Sequence, residues 1–176
     1  YSALVQENGM VPIVEPEVLM DGDHSAEDCL IKTSEVIKKC FEELIIHKID
    51  LTGVILKPNM ILAGNKSKNK ISKEEVASKT LECLKKSVPK EVPGIAFLSG
   101  GQSEVEATEN LNLINKNNDT NFIMTYSYGR ALQQSALRVW SKNINDIEST
   151  QNTFNHRVKM CTLAAQGKWA SELENK

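Results

Sequence analysis

The sequence predicts an α/β protein: the last four βα units of a (β/α)8 TIM barrel. Two observations lead there. Short apolar runs alternate with amphipathic helix patterns, which means parallel strands joined by helical crossovers. Each of the four runs also ends in polar, charged or glycine residues: Glu15 and Glu17, Lys57 and Asn59, Ser99 and Gly100, Ser127 and Arg130. A doubly wound open sheet would concentrate its chemistry at one crevice, whereas a barrel draws it from the end of every strand. A complete barrel needs eight strands in about 250 residues. With 176 residues beginning at Tyr1 rather than Met, residues 1–176 are expected to be the C-terminal half of a single barrel domain, its N-terminal half absent.

The elements follow in order. Tyr1–Asn8 read as the last turns of a helix closed by Gly9. Val11–Val14 is the first strand, ending in Glu15-Pro16-Glu17, and a polar loop through His24 follows. Ser25, with Asp28 three residues later, caps a helix whose Leu30, Thr33, Ile37, Phe41 and Leu44 recur at three- and four-residue steps. Val54–Lys57 is the second strand, stopped by Pro58. Ser72 and Glu75 form a full capping box for a helix that buries Val76, Thr80, Leu81, Leu84 and Val88 and ends at Pro89. Ile95–Leu98 is the third strand, and Ser103 with Glu106 caps the next helix. Phe122–Tyr126 is the fourth strand, followed by helices over about 131–140 and 146–167.

Composition narrows the function classes. The chain is 40% hydrophobic and 25% charged with a formal net charge of -2, so no basic field points to nucleic acid or an anionic membrane. The run Lys66–Lys70 has no aromatic interleaving and reads as a solvated loop. No apolar run reaches the length of a membrane span, and no signal-peptide pattern opens the chain. Cys29, Cys40, Cys83 and Cys161 lack CxxC spacing and fit free thiols of a reducing, cytoplasmic compartment. His24, His47 and His156 fall on different elements without metal-ligand spacing, so no metal site is expected.

The chemistry centres on Lys57, where a buried-type strand runs straight into a lysine. Lysine is rarely buried unless paired. Two readings compete: a strand-end lysine snorkelling to solvent, or a nucleophilic amine that forms a Schiff base with a carbonyl. Glu15 and Glu17, two residues apart, would share one face of an extended strand and suit general acid–base work; alternatively they are exposed acids flanking a turn proline. Ser99-Gly100-Gly101 precedes a helix N-terminus, where backbone N–H groups and the helix dipole favour an anion. Tyr128-Gly129-Arg130 repeats the arrangement with a guanidinium suited to phosphate. Barrels build phosphate sites after their seventh and eighth strands, although a Gly-Gly turn by itself is more often just a connecting loop.

At these residues a family resemblance emerges. Val11–Leu19 (VPIVEPEVL), Leu56–Met60 (LKPNM), Phe97–Ser103 (FLSGGQS) and Ser127–Gln133 (SYGRALQ) resemble the second half of class I fructose-1,6-bisphosphate aldolase, and Asn110–Asn115 (NLNLIN) and Leu163–Lys168 (LAAQGK) extend the match. The resemblance implies a glycolytic and gluconeogenic lyase that cleaves fructose 1,6-bisphosphate to dihydroxyacetone phosphate and glyceraldehyde 3-phosphate. It implies Lys57 as the Schiff-base lysine, Glu15 as the proton shuttle and Glu17 as a second carboxylate that positions and polarises the site. Ser99, Gly100, Gly129 and Arg130 would hold one substrate phosphate. Neither metal nor other cofactor is implied, because the iminium serves as electron sink. A homotetramer and cytoskeletal partners are further implications.

Two features of the family are missing from this sequence: the active-site aspartate and basic groups of the first four strands, and the tyrosine that often ends the tail. A transaldolase-like Schiff-base barrel is a rival that the paired glutamates and the SGGQS and SYGRALQ loops oppose. A non-catalytic aldolase-like scaffold is the non-enzymatic alternative, and Lys57, Glu15 and the phosphate loops weigh against it.

Overall fold

The computed structural model describes residues 1–175 and contains the expected alternation. Its elements are α1 (Ser2–Glu7), β1 (Ile13–Val14), α2 (Ala26–Ile46), β2 (Ile55–Leu56), α3 (Lys73–Ser87), β3 (Gly94–Phe97), α4 (Glu104–Lys116), β4 (Ile123–Tyr126), α5 (Arg130–Lys142) and α6 (Ile147–Ala165). The strands form one parallel sheet in the order β1-β2-β3-β4. Sequence order and spatial order coincide, with none of the reversal that defines a doubly wound sheet. The architecture is thus α/β and that of a partial TIM barrel.

Local chemistry accounts for the helix starts. The Ser25/Asp28, Ser72/Glu75 and Ser103/Glu106 capping boxes all form, each serine accepting from the backbone three residues on and each acid reaching back. Asp146 caps α6 through Ser149 N–H. Gly9 follows α1 in the left-handed region (φ 71°), as a helix-terminating glycine should. Gln6 ties α1 to the turn before β2, its side chain exchanging hydrogen bonds with Asp50 N and O.

Paired strands are shorter than the apolar runs suggested. β1 and β2 pair over two residues each, because prolines interrupt the runs: Pro12 lacks the N–H a ladder needs, and Pro58 stops β2. Hydrogen bonds nonetheless continue the register beyond the strands, with Lys57 N–H donating to Val14 O at 2.7 Å and Leu98 N–H to Pro58 O at 3.1 Å.

The helices cover one face of this sheet. Val14, Leu56, Ile95, Phe97 and Met124 lie in the core, together with Ile37, Phe41, Val76, Leu84, Leu111 and Ile114 from α2, α3 and α4. Each such buried side chain contributes about 1.5–3 kcal/mol. Alternate strand residues occupy the other face, and there Ile13 is 50% exposed and Ile123 75% exposed. Helices α2, α3 and α4 pack side by side in sheet order, and α4 also contacts α5 and α6.

Beyond α6 the chain is latched back. Arg157, buried on α6, makes a bidentate pair with Glu174 at 2.9 and 2.7 Å, and Trp169 Nε1 donates to the same carboxylate at 2.8 Å. All four cysteines are free thiols, and Cys29, Cys83 and Cys161 are buried. Among the described residues, no helix is long and apolar enough to cross a membrane.

Candidate active site

The β1–β2 register sets the central contact. Ile13 pairs with Ile55 and Val14 with Leu56, so the next pair along is Glu15 and Lys57. Side chains alternate along strands, and both therefore project from the uncovered face. Lys57 Nζ stands 3.0 Å from Glu15 Oε1, with side-chain exposures of 20% and 47%. The neighbouring positions in the same row are Ala96 and Thr125.

Asn59 fixes the segment that carries the acid. Its amide is buried, with Oδ1 accepting from Val18 N–H at 3.0 Å and Nδ2 donating to Thr33 Oγ1 and to Met60 O, each at 3.1 Å. It thereby staples the stretch after β1 to the stretch after β2. Glu17 is placed differently from Glu15. β1 has ended before Pro16, so Glu17 does not follow strand alternation; it is exposed, and makes no ion pair or side-chain hydrogen bond among the described residues. Of the two carboxylates, only Glu15 meets Lys57.

The loops after β3 and β4 lie next to one another, since Ser127 N–H donates to Phe97 O at 2.8 Å. Ser99 is buried, and its carbonyl accepts from both Gln102 N (3.0 Å) and Gln102 Nε2 (2.9 Å). Asn110 Nδ2 in turn holds Gln102 Oε1 at 2.7 Å. Gly100 sits at φ 54°, a left-handed backbone that favours glycine, with Leu98 Cδ1 3.2 Å from where a Cβ would be. On the neighbouring loop the Tyr128 hydroxyl is buried and donates to Ala107 O at 2.9 Å, and burial pushes the phenol well above its ordinary pKa. Gly129 starts α5 without a side-chain cap; Leu132 N–H bonds back to Gly129 O at 3.1 Å, which leaves the Arg130 and Ala131 N–H groups without a partner among the described residues, at the positive end of the helix dipole. Arg130 is exposed and has no side-chain partner among the described residues.

Three structural supports were not legible in the sequence: Asn59 as a staple, the Gln102–Asn110 brace, and Glu104. Glu104, on the first turn of α4, reaches Ser135 and Arg138 of α5. The one sequence signal was a polar residue inside an apolar run, as at Asn59 within Leu56–Ala63. The histidines lie on separate elements, as expected.

Comparison with known proteins completes the picture. A family model described as glycolytic, fructose-bisphosphate aldolase class-I, matches residues 1–176. Cytosolic fructose-bisphosphate aldolase 4 of Arabidopsis thaliana is 43% identical over 175 residues, covering 99% of this chain and 44% of that protein. Fructose-bisphosphate aldolase C of Carassius auratus is 45% identical over 172 residues, covering 97% of this chain and 47% of that protein. Among solved structures, fructose-bisphosphate aldolase from Plasmodium falciparum, in complex with TRAP and a small-molecule inhibitor, superposes with a TM-score of 0.94 at 40% identity, covering 97% of this chain and 49% of that one. The chain spans about half the length of the curated relatives it matches.

Proposed function

The chain belongs to the class-I fructose-bisphosphate aldolase family, and from that premise we propose that it carries the Schiff-base half of an aldolase site acting on fructose 1,6-bisphosphate. The observation that carries the reading is the 3.0 Å pairing of Lys57 with Glu15 on the uncovered face of the sheet. In the forward step the Lys57 amine adds to the C2 ketone, and the carbinolamine loses water to give a protonated imine. Glu15, within hydrogen-bond reach of Nζ, takes the amine proton and returns one to the departing hydroxyl.

The iminium accepts the electron pair of the C3–C4 bond as the 4-hydroxyl gives up its proton, and glyceraldehyde 3-phosphate leaves. Protonation of the resulting enamine at C3 and hydrolysis of the imine then release dihydroxyacetone phosphate and regenerate the lysine. The iminium is the electron sink, so the scheme needs no metal. Glu17, exposed beyond Pro16, would add negative charge at the rim rather than touch Lys57.

Ser99, Gly100, Gly129 and Arg130 are assigned one substrate phosphate. Two observations support this. The uncapped start of α5 offers N–H groups and a free guanidinium together. Nothing lies within 4 Å of where a Gly129 Cβ would sit, so packing alone does not demand glycine there. The uncovered face becomes the barrel interior once four further strands close it, with residues 1–176 as the C-terminal half of one domain. The same reading brings a cytoplasmic location, a homo-oligomer and room for cytoskeletal partners.

The test is covalent. Borohydride added to the full-length protein with dihydroxyacetone phosphate should reduce an imine on Lys57, located by peptide mass. Labelling at another lysine, or none, would overturn the assignment. Cleavage that survives EDTA should accompany it; loss on chelation would favour a metal-dependent route.

A further inference from the structure

The strongest unexplained polar contact lies away from Lys57, at Glu104. This residue is 8% exposed, and its carboxylate reaches across to α5. Oε1 accepts from Ser135 N–H at 2.6 Å, and Oε2 accepts from Arg138 Nη2 at 2.9 Å and from the Ser135 hydroxyl. Ser135 lies inside α5, where a backbone N–H ordinarily bonds to the carbonyl four residues back and needs no outside acceptor. A carboxylate taken out of water to grip such a group costs desolvation energy that a packing contact would not.

Its location suggests what that grip does. α4 begins directly after the Ser99–Ser103 loop, and α5 begins at Gly129-Arg130. Two ties run from α4 to this second segment: Tyr128 bonds Ala107 just before Gly129, and Glu104 bonds Ser135 and Arg138 farther along α5, in its second and third turns. Gly129 and Arg130 are bracketed between anchors on the helix that the Ser99-Gly100 loop feeds. We propose that Glu104 is a positioning residue that fixes the spacing between the two phosphate loops and so sets how tightly a phosphate is gripped. This rests on the phosphate role proposed above for Gly100 and Arg130. Although burial raises its pKa, the hydrogen bonds from Ser135 and Arg138 bring Glu104 below the ordinary glutamate range, which keeps the clamp ionised.

The experiment uses full-length protein with Glu104→Gln, Arg138→Ala, the pair combined, and Arg130→Ala. Inorganic phosphate binding is read by titration calorimetry, and KM and kcat on fructose 1,6-bisphosphate by assay. Glu104→Gln and Arg138→Ala should each weaken phosphate binding and raise KM by the same factor, about tenfold, with kcat and borohydride labelling of Lys57 within about twofold. The double variant should lose little more than either single one, because both break one clamp. Arg138→Lys, which keeps the charge, should recover part of the loss. A lower Tm with phosphate affinity and KM unchanged would make the contact merely structural and overturn the proposal. If Glu104→Gln does not fold, Arg138→Ala and Arg138→Lys decide by the same criteria. Unchanged phosphate binding in Arg130→Ala would instead remove the phosphate site itself, and the positioning role with it.

Discussion

The covered and uncovered faces of the sheet are made from alternate residues of the same strands, and they are filled for different reasons. Val14 and Leu56 go under the helices, while their immediate neighbours Glu15 and Lys57 stand on the open side and meet at 3.0 Å. Phe97 is fully buried on one face, whereas Ile123 on the other is 75% exposed. Core packing and the Lys57–Glu15 ion pair are thus assigned by parity along the strand, and a one-residue slip in register would exchange them. Substitutions on the covered face should be felt as folding energy, and those at the charged row of the open face as rate.

The sharpest way to break that comparison is Lys57→Met. Cleavage should fall by on the order of 10⁵-fold, as when a covalent nucleophile is removed, with Tm nearly unchanged. A large drop in Tm would show that the lysine holds the fold. Glu15→Gln should cost about 10²–10⁴-fold in kcat, the range for a general acid–base, and should slow imine formation more than substrate binding. Pre-steady-state trapping separates the two steps.

On the covered face, Phe97→Ala should destabilise by about 3–5 kcal/mol in denaturant unfolding while leaving Lys57 labelling per folded molecule intact. The smallest expected effect is at Glu174, in the turn after α6. Burial raises its pKa, but hydrogen bonds from Arg157 and Trp169 outweigh that and depress it below the ordinary glutamate value near 4.5. A carboxylate depressed on folding adds stability above its unfolded pKa and loses it as pH falls through its folded one. The acid limb of a Tm–pH profile should therefore be shallower in Glu174→Gln than in wild type, with Lys57 labelling unaffected.

Local signals wrote much of this structure legibly. The serine capping boxes, the Gly9 terminus and the Leu30–Leu44 stripe each depend on residues within a few positions of one another, and all formed. Strand ends were less readable, because proline permits an extended chain while denying it a ladder bond, and the paired part of β1 shrank to Ile13–Val14. That loss matters at Glu17, whose expected alignment with Glu15 relied on strand alternation running past Pro16. Contacts between distant segments were invisible: Asn59 meets Val18 across 41 positions, and Glu104 meets Ser135 across 31. Nothing in the spacing of an asparagine or a first-turn glutamate announces a partner that only folding brings near.

The latch after α6 has a spectroscopic consequence. The chain's two tryptophans sit in opposite surroundings: Trp169 is 5% exposed with its indole N–H on Glu174, and Trp140 is 49% exposed on α5. The first should emit at shorter wavelength and resist acrylamide, and the second should be quenched readily. Undocking of the terminal turn would then register as a red shift of one emitter alone, an intrinsic optical probe of that segment.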